Sequence, residues 1–544
     1  MKAIDVNHHN KKPKSSGCLM WGLLIFIGII VLINLPLLLR YTIKPIIYSL
    51  PIVLILLVGN FILKKKYGIN IFGNKKKIIF DFGISKRKNY NPEVFDINGE
   101  TEILNPYAGI FISGGAGSGK SKSLIEPLIK EAGEKNYTGV VYDFKFPELA
   151  GYVETAYKNS DVARYYFNFD DLTRSHRINP IAPDLMIKES FAREFAYTIL
   201  VNLNPQMISK PDFWSDNATS LLASTFWYLR EKYPSYCTLP HAMAMVLQPN
   251  FKALLRELCS VPKCADMIAP IMTAYEQGAD NQLAGVISSL QISLSKINSD
   301  EIYYLLTESN VNLQLNNPES KGILTIGNNP QLSSTYAPIL GLILTSVSKQ
   351  LNRQGKEKSV FIIDEFPTVY IPNVEQLPAT ARSNKVATIL ACQDIAQLSD
   401  KYGREKSETI LSNLGNQFYG RTPNPQTARR VSELFGKAEQ VVISESQKST
   451  EWFEKNISTS TRETDIVKSQ YVANLDTGSF FTILSEGNIR QGISHIPMDK
   501  NFNKSEILPF SSADEYDIRQ AYKRVILDVS EVILKNSILA TQNK

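Results

Sequence analysis

The stretch Gly114–Ser121, GGAGSGKS, constrains the fold more than any other part of the chain. It fits the pattern G-x-x-x-x-G-K-[ST] at every position, with a strand-like run, GIFIS, before it and a helix-like sequence, KSLIEPLIKEAGE, after it. In such a unit the N–H groups of a glycine-rich loop surround a phosphate, and the loop opens a helix whose N-terminus favours anions. A merely flexible glycine loop would not need the strand and helix on either side. The stretch therefore predicts the strand, phosphate loop and helix of an α/β nucleotide-binding fold.

The residues of this loop have separate predicted roles. Lys120 is expected to place its charge on the β- and γ-phosphate oxygens, and the Ser121 hydroxyl to bind Mg²⁺. The predicted cofactors are therefore ATP and Mg²⁺. The predicted nucleotide-binding residues are Gly114, Gly115, Ala116, Gly117, Ser118, Gly119, Lys120, Ser121 and Lys122.

A second apolar run, SVFIIDEF, ends in the carboxylates that such a site requires. Asp364 is expected to hold Mg²⁺ through water, which makes Ser121 and Asp364 the predicted metal ligands, while Glu365 polarises the attacking water. Gln393 follows another apolar run and is expected to sense the γ-phosphate, although an isolated glutamine carries little information. Asp143 and Lys145 end a further run, and either face the site or solvate a strand end.

The pattern of apolar runs predicts a mainly parallel α/β sheet with ligands at the carboxyl ends of its strands. The order of strand, phosphate loop, helix and a later Asp-Glu strand is that of RecA-like motor ATPases. Between 190 and 316 helical spacing replaces strand-like runs, which predicts an inserted all-α domain. The polar segment 444–469 is expected to be an exposed loop. The predicted strands are 109–113, 139–143, 322–327, 359–364, 386–391 and 416–420.

Two apolar segments without charged residues precede the phosphate loop. Residues 18–39 and 45–63 contain 22 and 19 residues, and a helix of about 20 residues spans a bilayer core. A cleaved signal peptide is the alternative for the first, but its apolar region is too long and a second segment follows at once. The lysines lie on the outer flanks, which predicts a two-helix transmembrane hairpin with both termini in the cytoplasm.

The charge distribution argues against a broad nucleic-acid-binding surface, and the cysteine content argues against a metal site. The net charge of +6 is concentrated in residues 1–77, which have twelve Lys or Arg and one acid, so the remainder is slightly acidic and offers no broad basic surface for nucleic acid. The five cysteines form no Cys-x-x-Cys pair, which argues against a metal site and suits a reducing compartment.

With these motifs in place, the chain resembles the type IV coupling proteins of bacterial conjugation, the TraG/TraD-like DNA-transfer ATPases. The most specific segments are IIDEFPTVYIPNVEQLPATARS, ACQDIAQLSDKYG and TARRVSELFG, in that order; YDFKFPEL, INPI and FW also match. Pro367 departs from many relatives, which have a small non-proline residue there. The resemblance implies a homohexameric ring of RecA-like domains on the bacterial inner membrane. It also implies that Arg382 is the arginine finger that reaches a neighbouring subunit's γ-phosphate, with Arg421, Arg429 and Arg430 as competitors.

The resulting prediction is a multi-pass inner-membrane ATPase, with its NTPase domain in the cytoplasm, that drives a relaxase-bound single DNA strand into a type IV secretion channel. Expected partners are DNA, relaxase or relaxosome proteins and channel components. The alternatives are a membrane-anchored double-stranded DNA translocase and a docking receptor for protein effectors. The predicted catalytic residues are Lys120, Asp364, Glu365, Arg382 and Gln393. The predicted parts are an N-terminal basic segment (1–17), the membrane anchor (18–63), a basic linker (64–100), the NTPase domain in two parts (101–189 and 317–504), the all-α insert (190–316) and a C-terminal helical tail (505–544).

Overall fold

The computed structural model describes residues 93–447, 455–487 and 490–542. These residues all belong to one unit that spans 78–544. The predicted membrane anchor, 18–63, and most of the basic linker lie outside the described residues. Within the described ranges, no helix combines the length and the apolarity needed to cross a membrane.

The described residues form the strands and helices that follow, in chain order. The strands are β1 (Phe95–Ile97), β2 (Thr101–Ile103), β3 (Ile110–Ser113), β4 (Thr138–Asp143), β5 (Ala163–Phe167), β6 (Asn316–Asn317), β7 (Ser320–Gly327), β8 (Ser359–Ile363), β9 (Val386–Cys392), β10 (Asn416–Tyr419), β11 (Lys437–Gln447), β12 (Lys455–Asp465), β13 (Ser479–Ile483) and β14 (Gln491–His495). The helices are α1 (Glu126–Glu134), α2 (Glu148–Ala156), α3 (Glu189–Leu203), α4 (Gln206–Ser209), α5 (Phe213–Lys232), α6 (Leu239–Leu247), α7 (Phe251–Cys259), α8 (Pro262–Met267), α9 (Ala269–Glu276), α10 (Asp280–Ser295), α11 (Asp300–Thr307), α12 (Ser333–Leu351), α13 (Leu377–Ala381), α14 (Ile395–Tyr402), α15 (Arg404–Asn413), α16 (Pro425–Leu434), α17 (Ser469–Ala473) and α18 (Glu515–Gln542).

A central mixed sheet organises the fold, in the order β14-β13-β10-β3-β9-β8-β4-β7-β5. The strands from β10 to β5 are parallel, whereas β13 and β14 add an antiparallel edge beside β10. All six predicted strands are present, with bounds that differ by one or two residues. The fold is therefore α/β, and the prediction of a mainly parallel sheet is confirmed.

Continuous apolar runs form the central strands because helices cover both faces of the sheet. In β8 the side chains of Val360 and Ile362 belong to the core cluster that also contains Leu128 of α1. Their neighbours Phe361 and Ile363 point into the cluster on the opposite face. This alternation with a period of two fixes which face of each strand meets which helix layer.

Helices α3 to α11 occupy residues 189–307, where the sequence predicts an all-α insert, and no strand interrupts them in this described range. Their apolar side chains continue the core of one sheet face without a break, since Phe195 of α3 and Leu342 of α12 share a cluster with β8. The long C-terminal helix α18 packs against α6 and α11, with the Tyr303 and Tyr522 rings 4.8 Å apart. The division into separate domains stays a prediction.

The expectation of a loop at 444–469 is wrong for residues 444–447 and 455–465, which are strand. Strands β11 and β12 form a two-stranded antiparallel ribbon whose register runs from Lys437 opposite Asp465 to Gln447 opposite Lys455. Such a ribbon pairs its backbone groups internally and does not need apolar side chains, so its Ser- and Thr-rich composition resembled that of a loop. The tip at 448–454, with Trp452 and Phe453, lies outside the described residues.

Candidate nucleotide site

The phosphate loop leaves β3 at the carboxyl edge of the parallel strands. Its last residue, Ser121, begins a helix whose first turn, Ser121–Ile125, is of the π type and which continues as α1. Gly117 and Gly119 have φ angles of +73° and +93°. Residues that have a Cβ rarely adopt this backbone conformation. A Cβ on Gly119 would lie 2.8 Å from the backbone nitrogen of Gly478. Glycine is therefore required at both positions.

Backbone hydrogen bonds hold the loop to two neighbouring segments. The Gly115 N–H donates to the Arg421 carbonyl at 2.8 Å, and the Gly478 N–H donates to the Ser118 carbonyl at 2.9 Å. Within the described chain, the N–H groups of Gly117, Gly119 and Lys120 have no hydrogen-bond acceptor. A fixed loop with unsatisfied donors is suited to bind oxyanions.

The acidic pair predicted from the sequence meets the phosphate-loop lysine. Lys120 Nζ lies 3.2 Å from Glu365 Oε2 and 3.9 Å from Asp364 Oδ1. The backbone N–H of Gln393 donates to Glu365 Oε1 at 3.1 Å. Since β3, β9 and β8 are adjacent, the carboxyl ends of three neighbouring strands bring these four residues together.

A pocket of about 580 Å³ adjoins this cluster, and its lining includes the whole phosphate loop. Asp364 Oδ1 is buried and has no hydrogen-bond partner among the described residues. Burial raises the pKa of Asp364, and the Lys120 charge opposes that rise. A buried oxygen without a partner, in a pocket that Ser121 also lines, fits a divalent cation, because Mg²⁺ prefers hard oxygen ligands. The residues present therefore fit both predicted cofactors, with Ser121 and Asp364 as the residues that would hold Mg²⁺.

Lys122 and Asp143 stand at the margin of this site. Lys122 lines the pocket, but its Nζ contacts the Tyr152 hydroxyl at 2.7 Å and Glu126 Oε1 at 3.0 Å. Asp143 accepts the N–H groups of Leu149 and Ala150 at 2.8 and 3.0 Å. It thereby caps α2, and burial raises the pKa of Asp143 to about 7. The sequence left open whether Asp143 faces the site or only ends a strand. These hydrogen bonds support a structural role at the strand end.

Arg382 lies at the opposite edge of the sheet. It precedes the first residue of β9, whereas Gln393 follows the last. Its side chain is 57% exposed, and Nη2 contacts Glu486 Oε1 at 3.2 Å. Asn105 donates to the same Glu486 oxygen at 2.7 Å. Arg382 therefore does not reach the pocket of its own chain.

The competing arginines are placed differently. Arg421 lies beside the phosphate loop, with Nη2 3.4 Å from the Gly117 carbonyl. Arg430 forms a two-point ion pair with Glu408, with one contact of 2.6 Å. Arg429 is exposed on α16.

Sequence reasoning missed one wall of the pocket. Thr477, Gly478, His495, Met498 and Lys500 line it, and the Thr477 hydroxyl donates to the Gly117 carbonyl at 2.9 Å. Thr477 and Gly478 precede β13, His495 ends β14, and Met498 and Lys500 follow it. They carry no recognisable motif. Only the pairing of the antiparallel edge brings them to the phosphate loop.

Comparison with known proteins decides the family. The family model described as "Type IV secretory system Conjugative DNA transfer" matches residues 62–488. The chain belongs to this family. The resemblance inferred from its motifs is thus confirmed, and with it the assignment to the coupling proteins of conjugative DNA transfer. No curated protein sequence matches the chain.

Solved structures of one conjugative coupling protein, TrwB, share the fold of this family member. The unbound form of TrwBdeltaN70 has a TM-score of 0.61 at 14% identity, over 78% of this chain and 92% of that chain. TrwB in complex with ADP and Mg²⁺ gives a TM-score of 0.59 at 14% identity, over 78% and 92%. TrwB with the ATP analogue ADPNP gives 0.59 at 15%, over 78% and 94%. At these identities the likeness shows a shared α/β fold.

Proposed function

We propose that this protein is the coupling ATPase of a conjugative DNA-transfer system, which hydrolyses ATP to drive a relaxase-bound DNA strand into a type IV secretion channel. The observation that carries the proposal is the meeting of Lys120, Glu365 and the Gln393 backbone at the carboxyl ends of β3, β8 and β9. A nucleotide-dependent scaffold would need the phosphate loop alone. A buried carboxylate beside the lysine adds the group that activates water.

In the proposed reaction a water oxygen attacks the γ-phosphorus of ATP, and the bond from that phosphorus to the bridging oxygen of ADP breaks. Glu365 accepts the proton that the water loses. Lys120, which contacts Glu365 in this structure, exchanges that carboxylate for the phosphate oxygens when ATP is bound, so that Glu365 becomes free to act as a base. Mg²⁺ bound by Ser121 and Asp364 would neutralise charge on the β- and γ-phosphates.

Arg382 is proposed to act on the site of a neighbouring subunit. Its exposure and its distance from its own pocket along β9 support a role in trans. A closed ring of identical subunits would place the amino edge of one sheet beside the pocket of the next. The transition state would then gain a positive charge that a single chain lacks, which implies that hydrolysis requires the predicted homohexamer.

Membrane attachment belongs to the same proposal. The predicted hairpin at 18–63 would fix the ring to the inner membrane, with the NTPase domain and both termini in the cytoplasm. Helices α3 to α11 would form the all-α part that faces the incoming cargo. DNA, relaxosome proteins and the secretion channel are the proposed partners.

A transfer experiment tests this function. Donor cells would carry the full-length protein as wild type or with Glu365→Gln, and both plasmid transfer and crosslinking of the protein to transferring DNA would be measured. We expect Glu365→Gln to abolish transfer while crosslinked DNA persists, since the change removes the base but not the fold. Normal transfer with Glu365→Gln would contradict the proposal and indicate a docking receptor.

A further inference from the structure

The nucleotide pocket has two chemically different ends. Its acidic end holds the Asp-Glu pair that follows β8, whereas its other end is lined by Ile496, Pro497 and Met498, which follow β14. In the central sheet, β8 lies on one side of β3, which leads into the phosphate loop, and β14 lies on the other side. The two ends therefore flank the phosphate loop from opposite directions. We call the stretch Ile496–Met498 the apolar wall.

Contacts on both sides hold the apolar wall in place. Ile496 is buried, and its N–H donates to the Gly478 carbonyl at 2.7 Å. On the other side, Lys130 of α1 donates to Asp499 Oδ2 at 2.8 Å. The two residues between these anchors are therefore fixed beside the pocket before any ligand binds.

The apolar wall presents hydrophobic surface to the pocket. Met498 is 50% exposed, and Pro497 beside it is exposed as well. Both line the pocket, so a ligand bound there would cover them. Phosphate gains nothing from such a surface. A flat ring with apolar faces does gain, because covering apolar area is favourable and a thioether packs well against an aromatic ring.

The proposed hydrolysis sets the direction in which a nucleotide lies. Its γ-phosphate must be at the acidic end, beside Lys120 and Glu365, where water attacks. The three phosphates form a linear chain, so the nucleoside extends away from that end. The pocket volume of about 580 Å³ falls within the range of roughly 300–1,000 Å³ for pockets that enclose a whole small ligand. The pocket thus has room for more than the phosphates.

We propose that the apolar wall binds the base of the nucleotide, with Met498 and Pro497 packed against one face of a purine ring. The inference rests on the proposed function for the position of the γ-phosphate. A two-ring purine covers more of this surface than a one-ring pyrimidine, and the gain in free energy follows the apolar area covered. Met498 is therefore a specificity-determining residue that favours purine nucleotides.

Calorimetric binding measurements on the full-length protein with Mg²⁺ test this role. The three probes are ADP, CDP and pyrophosphate, which has no nucleoside. Each is measured with wild type, Met498→Ala, the volume-conserving Met498→Leu, and Leu508→Ala, which removes an exposed apolar side chain further along the same segment. Binding requires no turnover, and pyrophosphate reports on the phosphate loop separately. Failure of the base contact is therefore distinguishable from failure of the proposed function.

Wild type should bind ADP more tightly than CDP. Met498→Ala should weaken ADP binding by about three- to tenfold, as expected for the loss of part of one apolar contact, weaken CDP binding less, and leave pyrophosphate binding unchanged. Met498→Leu and Leu508→Ala should resemble wild type. Unchanged ADP binding by Met498→Ala, or an equal loss for ADP and pyrophosphate, would refute the base contact. Equal affinities of wild type for ADP and CDP would refute the preference for purines.

Discussion

The two edges of the parallel sheet carry very different chemistry. At the carboxyl edge, Lys120 and Glu365 are buried and lie 3.2 Å apart, and they also contact the neighbouring backbone, at 3.3 Å and 3.1 Å respectively. At the amino edge, Arg382 is 57% exposed and contacts one acid, Glu486. One strand, β9, connects the two edges, since Arg382 precedes it and Gln393 follows it.

This difference separates what one chain can do from what an assembly must add. The carboxyl edge brings into one pocket the residues to which we assign phosphate binding, metal binding and water activation. The arginine that the family resemblance assigns to the transition state is held away from that pocket at the far end of a strand. A single subunit therefore has a binding site that is complete and a catalytic site that, on our proposal, is not.

Removal of the Arg382 charge should have the largest effect, because it should lower catalysis without changing nucleotide binding. Arg382→Ala is expected to lower ATP hydrolysis by roughly 10²- to 10³-fold, the usual cost of removing one transition-state contact, with ADP affinity unchanged. Steady-state hydrolysis and ADP binding by full-length protein measure this, and Lys385→Ala, at the same exposed edge, is the control.

Mixing experiments sharpen the test of a role in trans. Neither Arg382→Ala nor Glu365→Gln protein should hydrolyse ATP well, but a mixture creates interfaces with an intact pocket and an intact arginine. We expect partial recovery of activity in the mixture. Unchanged activity of Arg382→Ala, or no recovery on mixing, would show that the arginine does not act on a neighbouring pocket.

The Gln393 side chain should have a smaller effect. Gln393→Ala preserves the backbone N–H that holds Glu365, so it isolates the contribution of the amide. The loss of one neutral hydrogen bond to a phosphate or to water should lower kcat about tenfold. Single-turnover hydrolysis with wild type and Gln393→Ala checks this, and equal rates would restrict the role of this residue to its backbone.

The smallest effect concerns stability at the carboxyl edge. Burial raises the pKa of Asp143 to about 7, so the folded protein holds a proton that the unfolded chain releases above about pH 4. Stability should fall as pH rises from 4 to 7, by at most about 1.4 kcal/mol per pH unit from this group. Thermal unfolding across this range should show a flatter pH dependence for Asp143→Asn than for wild type or the exposed-site control Asp266→Asn. Parallel curves for all three proteins would contradict the assignment.

The sequence predicted the central strands and the core of the site because both depend on local patterns. Apolar runs ending in Asp364, Gln393 or the phosphate loop mark buried parallel strands, and the carboxyl ends of neighbouring strands meet by geometry alone. β5, Ala163–Phe167, was missed because its first residues are exposed or half-buried at the sheet edge. The Thr477–Lys500 wall of the pocket depends on a long-range antiparallel pairing. No short motif reports such pairing.

The most direct test of the central claim is ATP hydrolysis by the full-length protein with and without single-stranded and double-stranded DNA, with Lys120→Ala as the blank. The account predicts hydrolysis that single-stranded DNA stimulates and that Lys120→Ala abolishes. Hydrolysis that no DNA changes, in protein shown to be assembled into rings, would contradict a DNA-coupled ATPase.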